Sequence, residues 1–351
     1  MMSTTTTDML ISADSHVIES PDLWVQRLPA ALRDHAPSYE HLKQKNLSLF
    51  QAHPGGSDPR LRVEEMSVDG VGAEVLYPTA ALDQFGIEDA ALQEACFRVY
   101  NDWLIEYCSH APDRLFGVAC ISLYDISAAI RELERCKNAG LRGALVWEVP
   151  PPELSFASDH YERFWAAAQD LEIPLSLHIL TGVAYPPGKL GTIVERGTAL
   201  QLLHFTCIEK MQHITEALLD IVISGVLERF PRLKFVLVEN EISWLPFFVS
   251  QLDKYVARGG IYATGTKLLP SEYFQRQIYA TFFNDPPIRW FLQEWGFDNC
   301  MWSNDFPHPN STWPKSREVI ARDLGHLPAA IRAKLVTENV ARLYGVAIPV
   351  S

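Results

Sequence analysis

Eight short apolar runs, separated by stretches of helical periodicity, set the limits on what this chain can fold into. The runs are Ile11–Asp14, Glu74–Pro78, Phe116–Leu123, Gly143–Trp147, Ile173–His178, Lys234–Glu239, Ile278–Phe283 and Cys300–Asp305. Most are nearly continuous in aliphatic and aromatic residues, as parallel strands covered on both faces require. Between them, apolar residues recur at three-and-four spacing over Ala90–Tyr107, Ile126–Ala139, Tyr161–Leu171, Ile214–Phe230, Ile242–Val256, Ile288–Trp295 and Ile331–Tyr344. Gly140 reads as the glycine that ends one helix and leads straight into the fourth strand. Alternating strands and helices with short joints make a parallel sheet, and eight such units in 351 residues favour closure into a (β/α)8 TIM barrel. No G-x-G-x-x-G follows the first strand, which disfavours a dinucleotide-binding sheet.

Two stretches exceed a bare barrel. About 28–66 holds Pro37, Pro54, Gly55, Gly56 and Pro59 with little periodicity, and 181–213 holds Gly182, Pro186, Pro187 and Gly188 before an added helical segment. They follow strands one and five, so both are expected as insertions over the barrel mouth. With no solenoid repeat and no linker, residues 1–351 are expected to form one domain, with 1–8 a flexible Thr-rich tail.

A formal charge of −13 without any Lys/Arg run argues against a nucleic-acid partner. The six cysteines form no C-x-x-C pair and read as free thiols in a reducing cytoplasm. Met1 to Asp8 has neither a basic region nor a long apolar stretch, so neither a signal peptide nor a membrane span is expected.

In such a barrel the C-terminal strand ends share one opening, where catalytic groups collect. Those ends supply Asp14 and His16 from the first strand, His178 from the fifth, Glu239 from the sixth and Asp305 from the eighth. Asp14 and His16 are one residue apart and therefore leave a strand on the same face. One such residue is readily a helix cap or a core histidine; five at equivalent positions point to a shared site. Two imidazoles and two carboxylates suit Zn²⁺, Mn²⁺ or Fe²⁺ and leave room for a water whose pKa the ion lowers. Asp305 has two roles open to it, as ligand and as the base taking a proton from that water. His308 is placed to orient Asp305 or to bind substrate.

Several stretches resemble the amidohydrolase superfamily, in particular the amidohydrolase-2 group related to aminocarboxymuconate-semialdehyde decarboxylase. They are Ser12–Glu19 with Pro21-Asp22-Leu23-Trp24, Pro174–His178, Glu228–Lys234, Trp244-Leu245-Pro246, Trp302–His308 and Ser311-Thr312-Trp313-Pro314. The resemblance implies a (β/α)8 barrel holding one divalent metal ion, usually zinc or manganese, and either hydrolysis or non-oxidative decarboxylation. Carried over by position, the ligands fall on Asp14, His16, His178 and Asp305. Two departures stand out. Asp-x-His replaces the more usual His-x-His or Glu-x-His, and Val238-Glu239-Asn240-Glu241 stands where decarboxylating relatives carry a histidine. Glu239 is then the candidate acid or base of strand six, or equally a member of a structural ion pair. The fourth strand lacks the lysine that bridges two metals in binuclear relatives, so one ion is expected, with Glu148 the only remaining candidate for a second.

Tyr77 and Trp147 fall at strand ends and are candidates to flank a ring or acyl group; Asn284, Asn304, His308 and Trp313 are candidates for hydrogen bonding or shape. The expectation is a cytoplasmic metal-dependent hydrolase acting with metal-activated water on a small, partly apolar acid, ester or amide. The alternative is a metal-dependent non-oxidative decarboxylase of an aromatic or unsaturated acid, and behind it stands a barrel that binds a ligand without catalysis. A small molecule is the expected partner, and the resemblance leaves a homodimer open.

Overall fold

The computed structural model describes residues 9–37, 39, 53–189, 192–193, 197–259, 266–295 and 298–347. The expected tail, and residues 38, 40–52, 190–191 and 194–196 of the expected insertions, lie outside the described residues. Eight strands run in sequence order around one sheet: β1 Leu10–His16, β2 Val71–Tyr77, β3 Leu115–Cys120, β4 Gly143–Val146, β5 Leu175–His178, β6 Phe235–Val238, β7 Ile278–Phe282 and β8 Cys300–Trp302. Every neighbouring pair from β1–β2 to β7–β8 is parallel. This is the (β/α)8 barrel that the apolar runs predict. β6 and β8 stop short of the predicted Glu239 and Asp305, so both carboxylates sit on the turns just past the sheet.

The ring closes between β1 and β8. Asp305 N donates to Asp14 O at 3.0 Å, and His16 N donates to Phe306 O at 2.6 Å. A side-chain knot reinforces this seam. The Ser12 and Ser15 hydroxyls and the Phe306 N–H converge on Asn304 Oδ1 at 3.0, 2.7 and 3.1 Å, while Asn304 N donates to Ser12 Oγ at 2.9 Å. Asn304 Nδ2 reaches Glu74 Oε1 at 3.3 Å, tying in β2. Behind the knot lies Arg62, fully buried, with Nε 2.5 Å from Glu74 Oε2 and Nη1 donating to His16 O at 2.7 Å. Its guanidinium stands 4.5 Å over the Phe306 ring, so a cation, a carboxylate and an aromatic face lock β1, β2 and the turn after β8 together.

The helices start where short acids cap them. Asp89 accepts from Ala91 N and Leu92 N at 3.0 Å, and Asp125 from Ser127 N and Ala128 N at 2.8 and 3.0 Å. The second of these helices, Ile126–Asn138, ends with Gly140 N on Lys137 O and Leu141 N on Cys136 O, both at 3.0 Å. Two differences from the sequence reading have local causes. The predicted Ile214–Phe230 helix is two helices, Lys210–Ile223 and Val226–Arg229, because Gly225 takes a left-handed φ of +79° between them. Part of the predicted first insertion is regular: Pro59–Asp69 is the helix that crosses from β1 to β2. Its arginines and glutamates obscure the helical period, although Asp58 caps it and Pro59 opens it in the usual way. Among the described residues no helix is long and apolar enough to cross a membrane, and no disulfide joins the six cysteines.

Arg62 yields a stability prediction. Arg62→Met strands the Glu74 carboxylate inside the protein and is expected to cost about 3–5 kcal/mol. Arg27→Met, which breaks the exposed Arg27–Glu106 pair, should cost about 1 kcal/mol or less. Chemical denaturation of both variants reads the difference, and equal losses would refute the assigned role of Arg62.

Candidate metal centre

The end of β1 brings Asp14 and His16 to the barrel mouth on one face, and His178, the last residue of β5, meets them there. Each imidazole is anchored from behind. His16 Nδ1 lies 2.7 Å from Pro78 O, and His178 Nδ1 lies 2.7 Å from Ile179 O. A carbonyl oxygen only accepts, so Nδ1 carries the hydrogen in both rings and Nε2 presents a lone pair. The two Nε2 atoms are 3.4 Å apart. Asp14 Oδ1 and Asp305 Oδ1 lie 3.4 and 3.6 Å from His16 Nε2, and Glu239 Oε2 lies 3.5 Å from His178 Nε2.

Donor atoms bound about 2.1 Å from one tetrahedral ion stand about 3.4 Å apart, so this spacing fits a single divalent cation. Two overlapping groups of three, Asp14 with His16 and His178, and His16 with Asp305 and His308, each have donor atoms within 4.8 Å of one another. The hydrogen bonding supports the same fit. Neither oxygen of Asp14 has a hydrogen-bond partner, although the residue is fully buried. Buried carboxylate oxygens without partners are costly, and a cation at the focus of these atoms would satisfy them.

Electrostatics around the focus follow from burial. Burial foremost, then the carboxylates of Asp305, Glu239 and Glu241, hold the Asp14 carboxyl well above its ordinary range. Burial also raises Asp305, against the opposing pull of His308. Burial pushes the His16 imidazole down, with His308 and His178 adding to the effect, and takes His178 down to about 4. Both rings are therefore neutral near pH 7, the form that binds a metal. His308 goes the other way. Burial lowers it, but Asp305, whose Oδ1 is 2.9 Å from His308 Nδ1, raises it overall. His308 also stacks on His16, with ring centres 4.0 Å apart, and its Nε2 lies 3.3 Å from Thr79 Oγ1.

The backbone is bent to make these meetings. Glu239, Glu241 and Asp305 adopt left-handed φ values of +61°, +56° and +53°. Non-glycine residues adopt that region at a cost, and such residues cluster at functional sites. Glu241 accepts from Phe283 N and Asn284 N at 3.2 and 3.3 Å, and burial with Asp285 nearby pushes its carboxyl up to about 7.

Other candidates are placed differently. Tyr77 is sealed in the barrel interior, with its ring 5.6 Å from that of His178 and its hydroxyl 2.9 Å from Ser176 Oγ and 3.2 Å from Tyr344 OH. It forms a floor beside the ligand cluster. Asn284 is exposed at the rim. Asn304 is not brought to the cluster, because its side chain is consumed by the seam. Trp313 also turns away: its indole donates to Glu65 O at 3.1 Å and packs on Phe306 and His53. Trp147 is fully buried against Tyr124. Glu148 belongs to neither group of converging donors. Glu19 carries no role in the sequence reading, yet its carboxylate accepts from Thr79 N, Ala80 N and Ala81 N at 3.2, 2.9 and 3.1 Å and so fixes the loop that presents Pro78 O to His16. It lies in the first quoted motif, which is the only signal that marks it.

A profile described as amidohydrolase matches residues 14–346. The chain is 28% identical over 261 residues to the gamma-resorcylate decarboxylase of Polaromonas sp. (strain JS666 / ATCC BAA-500), a match covering 71% of this chain and 77% of that protein. Its fold is shared with an amidohydrolase of Mycobacterium avium subsp. paratuberculosis K-10, with a TM-score of 0.78 and 18% identity over 97% of this chain and 100% of that one. It is also shared with a dihydroxybenzoic acid decarboxylase of Polaromonas sp. JS666, solved with manganese and 2-nitroresorcinol, with a TM-score of 0.69 and 22% identity over 97% of each chain. The expected hydrolase finds no backing in these decarboxylases, whereas the stated alternative does. The chain belongs to the amidohydrolase family of enzymes, in the amidohydrolase-2 group that its motifs resemble.

Proposed function

We propose that the protein is a metal-dependent non-oxidative decarboxylase of a small hydroxylated aromatic acid, with Asp14, His16, His178 and Asp305 holding one divalent ion. Zinc and manganese both suit the donor set; manganese is the ion present in the decarboxylase of similar fold. Such an ion would hold the substrate carboxylate and an adjacent oxygen and draw off negative charge as the carbon–carbon bond breaks.

The observation that carries the reading is the Asp305–His308 pair, 2.9 Å apart, in which the Asp305 carboxylate biases His308 toward holding a proton. When CO₂ leaves, the bonding electron pair stays in the ring, and that carbon must gain a proton. His308 holds the proton that is delivered, Asp305 positions its ring from 2.9 Å away, and water returns the proton afterwards. Glu239, beside His178 and open to the mouth, receives the proton of a substrate hydroxyl. Asn284 supplies a rim contact, and Tyr77 backs the His178 ring from within the barrel.

Protein purified without chelator should carry about one zinc or manganese ion per chain by mass spectrometry, falling several-fold in His178→Ala. With manganese restored, the protein should release CO₂ from 2,6-dihydroxybenzoate, and Asp305→Asn should slow that release by about 10²–10⁴-fold. Cleavage of esters or amides without CO₂ release from any hydroxybenzoate would overturn the decarboxylase reading in favour of hydrolysis.

The protonation states give a further expectation. His16 and His178 are already neutral at pH 7, while Asp14 and Asp305 retain protons more strongly than free carboxyls do. Manganese added to the metal-free protein must displace those carboxyl protons, so binding should release protons and tighten as pH rises. A weakly buffered titration with a pH indicator measures this, and Asp14→Asn should release fewer. Binding with no proton release would contradict the assigned ligands.

A further inference from the structure

The face of the barrel opposite the metal centre holds a cavity of about 870 Å³, within the range of small-molecule sites, roughly 300–1,000 Å³. It lies under the strand starts. Arg142 precedes β4, Pro174 precedes β5 and Lys234 precedes β6. Backbone bonds tie these positions into one rim: Ala144 N donates to Pro174 O at 3.0 Å, and Leu175 N to Lys234 O at 2.9 Å. The turn after the last helix, Asn339–Tyr344, closes the other side. There a Cβ on Gly345 would stand 3.7 Å from Arg142 Nη1, so the guanidinium reaches across to that turn. Tyr344 belongs to the lining, and its hydroxyl lies 3.2 Å from Tyr77 OH inside the barrel. The packed barrel interior thus stands between the cavity and the metal centre.

The cavity is basic in a chain whose net charge is −13. Lys137, Arg142, Arg232, Lys234 and Arg342 line it against one acid, Glu172. These cations come from separate stretches of sequence, so the barrel assembles them and no basic run announces them. Their hydrogen bonds go mostly to groups without charge. Lys137 Nζ donates to Leu171 O, Lys234 Nζ to Arg276 O at 2.6 Å, and Arg342 Nη2 to Asp298 O at 2.6 Å. The Asp298 carboxylate itself is taken by Lys334 at 2.7 Å. Arg232 pairs with Asp170 Oδ1 at 2.9 Å, in a pair that is largely exposed. Among the described residues the other four cations form no ion pair. Burial, with Arg276 and Arg342 nearby, holds the Lys234 ammonium below its ordinary range, as crowding by like charge requires.

Cations crowded around one hollow repel one another, and an anion that fills the hollow relieves them. Guanidinium forks and ammonium groups both favour phosphoryl and carboxylate oxygens. The hollow is larger than one such group needs, and Leu141, Ile173 and Tyr279 supply apolar wall beside the charges. We propose that this face of the barrel is a second binding site, for a small organic molecule carrying two or more negative charges on phosphoryl or carboxylate oxygens, with Arg142 and Lys234 as its principal contacts. A neutral or singly charged relative of that molecule gains too little from the cations to stay bound. The site lies at the far end of the barrel, so it neither needs the metal ion nor competes with a ligand at the mouth.

Calorimetric titration tests the site without reference to turnover. The probes are adenosine 5′-monophosphate against adenosine, and benzene-1,3,5-tricarboxylate against benzoate, each added to metal-free and to manganese-loaded protein. At least one multiply charged probe should bind with a Kd below about 1 mM. It should bind about ten-fold or more tightly than its control, and equally with and without manganese. The tighter of the two probes tells phosphoryl from carboxylate recognition. Arg142→Glu and Lys234→Met should each weaken that probe about ten-fold or more. Arg60→Glu makes the same charge change at an exposed residue outside the cavity, and should shift the affinity by about two-fold or less. Arg142 is exposed, so Arg142→Glu should keep the thermal midpoint of the wild type and its loss of binding cannot be a loss of fold. Failure of both multiply charged probes overturns the site, as does binding that vanishes without manganese. Equal weakening by Arg60→Glu and Arg142→Glu also overturns it, since that marks attraction to overall charge alone.

Discussion

Closure of the barrel between its first and last strands is the constraint on which the rest of the structure depends. Seven of the eight strand junctions are made by ladders of backbone hydrogen bonds. The eighth relies on two backbone bonds flanking the Ser12–Ser15–Asn304 knot. Asp14 and Asp305, which face each other across this seam, are brought together by the Asp305 N to Asp14 O bond itself. Folding and site assembly are thus one event at this junction: the contact that completes the ring also sets the two carboxylates side by side. Their mutual repulsion falls on the least regular of the eight joins, which explains why so much buried hydrogen bonding is concentrated there.

Two buried charge systems meet behind and in front of that seam, and they are solved differently. Behind it, Arg62 and Glu74 neutralise each other within the protein, with further bonds to His16 O and Asn304. In front, Asp14 faces the neutral imidazoles of His16 and His178, and only Asp305 gains compensation, from His308. The first system is charge-balanced in the protein alone; the second is completed by a cation. Because Arg62 grips the carbonyl of His16, the closed system also sets the position of a donor to the open one.

The legible part of the fold was its periodicity, and the legible part of the site was the polar residue ending each apolar run. Asp14, His16, His178, Glu239 and Asp305 were visible because a barrel maps strand ends onto one ring, so position in sequence translates directly into position in space. Asn304 and Trp313 sit in the same motifs, but sequence gives no direction for a side chain on a turn, and one faces the seam while the other faces Glu65 O. Trp147 ends a strand too, yet packing against Tyr124 claims it. Arg62 was hidden in a helix whose charged residues mask its period. The reaction type was the least legible feature, since hydrolysis and decarboxylation share one ligand set and differ in which way a proton moves at the Asp305–His308 pair.

The left-handed turns at Glu239, Glu241 and Asp305 also govern which sequences this mouth can accept. Branched residues such as valine, isoleucine or threonine fit that conformation poorly, whereas asparagine, aspartate and glycine fit it best. Selection at position 305 is therefore double, for backbone shape and for charge, and the two demands agree only on aspartate. Positions 239 and 241 carry glutamate, whose longer side chain gains nothing from the bend, so the backbone there bears a conformational debt that a glycine would discharge. In a randomised library screened for stability alone, those two positions would drift toward glycine or asparagine while 305 would drift only as far as asparagine. Glutamates stand at 239 and 241 although the bend there favours glycine or asparagine.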